Sequence, residues 1–395
     1  MDINTRASQY LIDVYKRIPL NITHGDGVWL YNDDGSAYLD FLAGIAVNAL
    51  GYNHPLIKET IIKQVEKNLH LSNLFVQEIH ISLAKKLIEL TPFSKVFFTN
   101  SGTEAIEGLL KLVKKWGNER NKSKIISFQG SFHGRSIGAV SITGQEKYRK
   151  GFQPLLPNIE IVPYNDVNAF EMVLDDDVAG VFFEGISGEG GIREISPEMI
   201  EAIKSGKEKY DFLVVADEIQ TGVGRTGAFY NFEHYDFIPD AIATAKGLGG
   251  GLPLGAFLVS EKIKDLFKIG EHGTTYGGNP LACATGLATV NYVSTDTFLK
   301  SIIEKGTYFK AKLESLAKKY PSIIKEVRGR GLILGVEVHH SAIEIKDLAL
   351  KEKLIFNVAG GGTVLRFVPP LIIENKHIDT AVSILDSILK NLTNQ

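Results

Sequence analysis

Ala241-Ile242-Ala243-Thr244-Ala245-Lys246-Gly247-Leu248-Gly249-Gly250-Gly251 runs from a short apolar segment directly into a lysine and then a glycine-rich loop. A run with no polar alternation suits a strand buried on both faces of a sheet. Working outward, similar runs recur at residues 95–99 (KVFFT), 124–128 (KIISF), 179–183 (AGVFF), 212–216 (FLVVA) and 256–260 (AFLVS). Helical patterns fall between some of them, at residues 103–116 and 197–210. Alternation of this kind predicts an α/β domain with a mostly parallel sheet.

The two ends of the chain read differently. After about residue 281 come long helical patterns, a strand at 331–338, a glycine cluster at 360–362 and a strand at 363–368. A closing helix places Ile378, Ala381, Val382, Leu385, Ile388, Leu389 and Leu392 on one stripe. The first residues carry a turn-rich, hairpin-like stretch at 25–39, with Asp33-Asp34-Gly35 at its turn. The expected organisation is a large domain over residues 51–281 and a smaller one built from 1–50 and 282–395.

Charge and composition narrow the partners. With 43 basic and 46 acidic residues the net charge is −3, and no basic block dominates. The clusters Lys111/Lys114/Lys115 and Lys318/Lys319 lie in helical patterns and read as solvated faces, so neither nucleic acid nor an acidic membrane surface is expected. Cys283 is the sole cysteine, which excludes an intrachain disulfide and suits a reducing compartment. Residues 1–15 include Asp2, Arg6 and Asp13 and do not read as a signal peptide. No apolar run approaches the ~20 residues of a bilayer span. A cytoplasmic protein is expected.

Open α/β sheets bind ligands beyond the carboxyl ends of their strands, so the residues that follow each run carry the functional signal. KVFFT leads to Asn100-Ser101-Gly102-Thr103-Glu104, and KIISF to Gln129-Gly130-Ser131-Phe132-His133-Gly134-Arg135. AGVFF leads to Glu184 and then Glu189, and FLVVA to Asp217-Glu218-Ile219-Gln220. Ser101 to Glu104 reads both as a capping box and as a phosphate cup at a positive helix end, and the two are compatible. Asp217 could cap a helix or pair with a buried cation such as a pyridinium nitrogen. Lys246 could snorkel to water, but a desolvated amine after a buried strand readily forms imines.

Three motifs fail their context. Gly222-Val223-Gly224-Arg225-Thr226-Gly227 spells a dinucleotide fingerprint, but it begins five residues past its strand, and Ala228-Phe229-Tyr230-Asn231-Phe232 opens a helix poorly. His339-His340 lacks further ligands at metal spacing. Ser187 lacks the flanking glycine pattern of a nucleophile elbow.

The stretches 243–255 (ATAKGLGGGLPLG) and 216–227 (ADEIQTGVGRTG) together resemble the fold-type I, class III (ornithine-type) aminotransferases that depend on pyridoxal 5′-phosphate. The resemblance extends over nearly the whole chain. Residues 40–51, 131–135, 272–280 and 365–371 are most similar to the acetylornithine branch of that class. One departure is local. The family's Glu-Pro-Val/Ile-Gln-Gly-Glu-Gly-Gly is here Glu184-Gly185-Ile186-Ser187-Gly188-Glu189-Gly190-Gly191, which bears on the shape of the pocket.

The resemblance implies a large domain with a mostly parallel seven-stranded sheet and a smaller α/β domain from both termini. It implies that Lys246 binds the cofactor covalently and, once released, acts as the general base. Ser101, Gly102 and Thr103 would hold the phosphate, Phe132 would stack on the ring, Asp217 would pair with the ring nitrogen and Gln220 with the ring oxygen. Thr275 would reach the phosphate of a neighbouring subunit, which implies a homodimer with shared sites. Arg135 and Thr274 would contact substrate, Arg366 would clamp an α-carboxylate, and Glu189 would neutralise Arg366 when no such carboxylate is bound. The implied substrates are N2-acetyl-L-ornithine and 2-oxoglutarate, with no metal. Ornithine, succinylornithine, N-succinyl-diaminopimelate and 4-aminobutyrate are the alternative donors on this scaffold.

Overall fold

The computed structural model describes residues 3–393. Its centre is a seven-stranded sheet in the order Lys95–Thr99, Gly255–Val259, Ala241–Thr244, Leu213–Asp217, Val178–Phe183, Lys124–Phe128, Ile159–Val162. All pairings are parallel except the two made by Gly255–Val259. Only the Lys246 loop connects Ala241–Thr244 to Gly255–Val259, too short for the crossover of a dozen or more residues that a parallel return needs. Lys95–Thr99, antiparallel to that reversed strand, regains the common direction. Six strands therefore end on one edge, at Thr99, Phe128, Val162, Phe183, Asp217 and Thr244, and all but Val162 end runs that the sequence singles out.

Ile159–Val162 is the strand that periodicity overlooks. It lies at the sheet's edge, with Glu160 exposed, so its pattern is short and partly polar. The central strands are buried on both faces. Leu213 and Val215 join the cluster of Ile106, Leu109, Val113 and Trp116 from helix Gly102–Asn118, while Val214 and Ala216 join that of Met199 and Ile203 from helix Pro197–Tyr210. Each large side chain buried this way contributes about 1.5–3 kcal/mol.

The two ends of the chain share a sheet. Strands Ile22–Asp26, Trp29–Asn32 and Ala37–Asp40 form a meander, and Leu354–Ile355 adds parallel to its last strand. A second sheet has the order Ile324–Arg330, Ile333–Val338, Val364–Phe367, Asn357–Ala359. Helices Asp296–Lys319 and Asn375–Thr393 pack on one another, the first also against Ile324–Arg330.

An unexpected backbone feature adjoins the central sheet. Ala43, Gly44, Ile45 and Ala46 all have positive φ, between 51° and 65°. Left-handed backbone costs a non-glycine residue about 1–2 kcal/mol, so the turn needs an anchor. Buried Asp40 supplies it: its carboxylate accepts from Leu42 N (2.8 Å), Ala43 N (2.9 Å) and Tyr52 OH (2.7 Å). The turn delivers Val47 to the cavity at the sheet's edge.

Candidate active site

The strand ends and the loop of Lys246 enclose a cavity of about 430 Å³, within the usual range for small-molecule sites. Lys246 begins a short 3-10 turn with φ 48°, a strained conformation of the kind that persists where surrounding structure fixes it. By area the residue is half-buried, and it lines the cavity. Desolvation, and then the nearby Arg366 charge, push its amine down to about 8 from 10.5, against the opposing pull of Glu189, Asp217 and Glu184.

Ser101 caps helix Gly102–Asn118, its hydroxyl accepting from Glu104 N at 3.3 Å. Glu104 reaches back to Asn100 N at 3.0 Å, which completes the capping box one residue early. The helix's first turn faces the cavity through Ser101, Gly102 and Thr103. A Cβ on Gly102 would lie 2.6 Å from the Ile219 side chain, so only glycine admits that approach. Thr103 Oγ1 accepts from Arg135 N at 3.2 Å and fastens the 132–135 loop to the helix end. Gly134 (φ 139°) passes where a Cβ would strike Thr103 Oγ1.

Asp217, the last residue of its strand, is buried. Its Oδ1 accepts from Ile219 N at 3.0 Å, and its Oδ2 pairs with His133 Nδ1 at 2.7 Å. Burial alone would lower the His133 pKa, but the Asp217 hydrogen bond and charge, joined by Glu184, leave it raised. Buried Glu184 accepts from Phe132 N at 3.1 Å. Burial pushes it up to about 7, opposed by His133 and reinforced by Asp217. His133 and Glu184 are thus supports that sequence reading gave no role. Both lie beside residues it did select, but the contact between positions 133 and 217 exists only in the folded sheet.

At the other side of the cavity Arg366 Nη1 meets Glu189 Oε1 at 2.6 Å and Gln220 Oε1 at 3.4 Å, while its Nε donates to Asn357 Oδ1 at 3.0 Å. Arg366 is 1% exposed. Burial would raise the Glu189 pKa, yet the charge and hydrogen bond of Arg366 hold it below the ordinary value. Exposed Arg135 also lines the cavity. It stacks over Tyr148 at 4.0 Å and Phe132 at 5.3 Å, with no carboxylate partner among the described residues.

Thr274 and Thr275 are not brought to this cavity within one chain. They line a separate cleft with Asn73, His80 and Phe98. Asn100 connects the two places, since it lines the cavity and its amide donates to Thr274 Oγ1 at 3.4 Å. The local departure at Gly185 and Ser187 is also explained. A Cβ at position 185 would lie 2.1 Å from Asn231 Nδ2 and 2.7 Å from Tyr235 OH, so those side chains fill that space. Ser187 Oγ donates to Gly130 O at 3.2 Å, and neither residue lines the cavity. Of the rejected motifs, residues 222–227 form a loop, and His340 makes an exposed 3.7 Å contact with Glu344. No group of metal-ligating side chains occurs among the described residues.

A desolvated lysine lining the cavity, a carboxylate at a strand end and an open helix N-terminus suit an aldehyde-bearing, cationic-ring, phosphorylated cofactor. Comparison with known proteins agrees. The family model of class-III aminotransferases matches residues 11–389, and the chain belongs to that family. It is a pyridoxal-phosphate-dependent aminotransferase. The acetylornithine aminotransferase of Caldanaerobacter subterraneus subsp. tengcongensis is 47% identical over 392 residues, which cover 98% of this chain and 99% of the relative. Among solved structures, the ornithine aminotransferase of Toxoplasma gondii ME49 superposes with a TM-score of 0.94 at 29% identity, covering 99% of this chain and 95% of that one. The acetylornithine aminotransferase of Elizabethkingia anophelis gives 0.86 at 29% identity, with 98% of each chain covered. No helix among the described residues is long and apolar enough to cross a membrane.

Proposed function

We propose that this enzyme transfers the ω-amine of N2-acetyl-L-ornithine to 2-oxoglutarate, giving N-acetyl-L-glutamate 5-semialdehyde and L-glutamate. The observation that carries the reading is the pairing of buried Arg366 with Glu189 near Lys246, while Arg135 has no carboxylate partner among the described residues. An ω-amine donor brings no carboxylate next to its reacting carbon, so Glu189 neutralises Arg366 while Arg135 takes the distant carboxylate. 2-Oxoglutarate brings a carboxylate beside the reacting carbon, and Arg366, released from Glu189, clamps it with the planar fork that suits a bidentate pair.

Pyridoxal 5′-phosphate, when bound, supplies the electron-withdrawing ring that makes a proton on the donor's amine-bearing carbon removable. Ser101, Gly102 and Thr103 hold its phosphate at the helix N-terminus. Phe132 covers the ring, Gln220 bonds its oxygen, and Asp217, oriented by His133, keeps the proton on the ring nitrogen. Lys246 Nζ anchors the group and then takes the proton from the donor carbon as general base. The amine's lowered pKa suits this work near neutrality. The same proposal places the reaction in the cytoplasm and divides the chain into a large unit, 51–281, and a smaller one from 1–50 and 282–395. The sheet shared by the two ends supports that division, with helix Pro280–Val293 at the seam.

A donor panel with 2-oxoglutarate as acceptor tests the substrate. N-acetylornithine should give a higher kcat/KM than ornithine, succinylornithine, N-succinyl-diaminopimelate or 4-aminobutyrate. A different leader would replace the proposed donor. Within that panel, Glu189→Gln should leave Arg366 free throughout, so glutamate should improve as a donor against N-acetylornithine. One charged contact in a dry site of roughly 1–3 kcal/mol predicts a change of about five- to 150-fold in the ratio of the two kcat/KM values. An unchanged ratio would remove Glu189 from this role.

The proposal also includes a homodimer whose sites draw Thr275 from the partner, since Thr275 is exposed and lies outside its own chain's cavity. Leu74 and Val76, 92% and 89% exposed, lie near that cleft in sequence and are apolar enough to need cover. Mixing Lys246→Ala with Thr275→Ala subunits should restore activity, because one of the two sites in each heterodimer regains both groups. Absence of any gain after verified subunit exchange would mean that each site is built from one chain.

A further inference from the structure

Arg225 belongs to the rejected glycine motif, and none of the roles above uses it. It is 2% exposed, and no salt bridge to it occurs among the described residues. Its Nη1 donates to Leu332 O at 3.0 Å and to Pro369 O, and its own carbonyl accepts from Leu332 N at 2.9 Å. Burial without a counter-ion pushes the guanidinium down to about 9 from 12.5. Burying an uncompensated cation is costly, so its value lies in the carbonyls it reaches. A rigid, planar group with several N–H donors can hold two backbone segments at once, which lysine cannot match geometrically.

Those two segments bear on the site. Arg225 lies on the same loop as Gln220, and Pro369 continues the strand that carries Arg366. The loop and the strand are therefore joined at two points, by Arg366–Gln220 at the cavity wall and by Arg225–Pro369 beyond it. The seam has no slack: a Cβ on Gly331, next to Leu332, would lie 2.6 Å from Arg225 O. We infer that Arg225 is the positioning residue that sets the Arg366 guanidinium for the acceptor's carboxylate. The inference rests on the proposed clamp role of Arg366.

The test is calorimetric titration of the holoenzyme with glutarate, a dicarboxylate that has the length of the acceptor but no keto group. Arg225→Lys should weaken glutarate roughly ten- to a hundredfold, the scale of losing one charge-assisted hydrogen bond to its carboxylate. Cofactor content and the single-turnover rate with N-acetylornithine, in which Arg366 stays with Glu189, should remain near wild type. Arg366→Lys is the control. If it leaves glutarate binding unchanged, the clamp reading fails and this inference with it. If Arg366→Lys weakens glutarate but Arg225→Lys does not, only the positioning role of Arg225 is overturned. Equal losses in glutarate affinity and donor rate would assign Arg225 to general stability and also overturn it. Arg225→Gln keeps one donor group and serves if the lysine variant does not fold. Should neither fold, amide exchange in the wild type decides: glutarate should slow exchange at Leu332, and no change there counts against the inference.

Discussion

Lys246→Ala should abolish turnover, with a loss of roughly four orders of magnitude or more, because it removes both the covalent anchor and the general base. Borohydride reduction of the wild type should leave the pyridoxyl label on the Lys246 peptide and on no other lysine. A label recovered elsewhere would refute the assignment. The environment adds a pH signature. In cofactor-free protein the amine is held near 8, so the free base is the minor form below that pH and the major form above it. Its labelling by a simple aldehyde should therefore rise with pH and level off above about 8. A midpoint near the ordinary lysine value would show that the cavity does not desolvate Lys246.

Asp217→Asn should fold and still take up cofactor, yet lose about 10²–10³ in kcat, the scale seen when one preorganised electrostatic partner is removed. Asparagine preserves the size of the side chain and an oxygen for Ile219 N or His133 Nδ1. It lacks the charge that would keep a proton on the ring nitrogen. His133→Asn should show a smaller loss in the same direction, since His133 acts only through the 2.7 Å contact to Asp217. A kcat near wild type for Asp217→Asn would mean that the carboxylate orients its loop and does not sustain the ring's charge.

The sequence alone determined six strands of the central sheet, the helices between some of them, and the edge at which chemistry gathers. Buried strands announce themselves as unbroken apolar runs, and whatever polar residue ends such a run must face the crevice. Lys246, Asp217 and Thr103 were legible for that reason. The edge strand Ile159–Val162 was not, because a strand that alternates toward solvent gives only a short, weak pattern. The local departure at Gly185 and Ser187 could be seen but not interpreted, since Asn231 and Tyr235 come to fill that space only once the chain has folded.

Tertiary structure alone decided the pairings. Positions 133 and 217, and 225 and 369, are far apart in the chain, and the pairing of Glu189 with Arg366 was legible only through family resemblance. No local periodicity records which carboxylate a buried cation will meet, because desolvation acts on groups wherever the fold places them. It is also the fold that sends Thr274 and Thr275 to a cleft outside the Lys246 cavity. The left-handed turn at 43–46 shows the same limit in the backbone. Gly44 is its only glycine, and the other residues hold positive φ because the buried carboxylate of Asp40 binds the amides that lead into the turn.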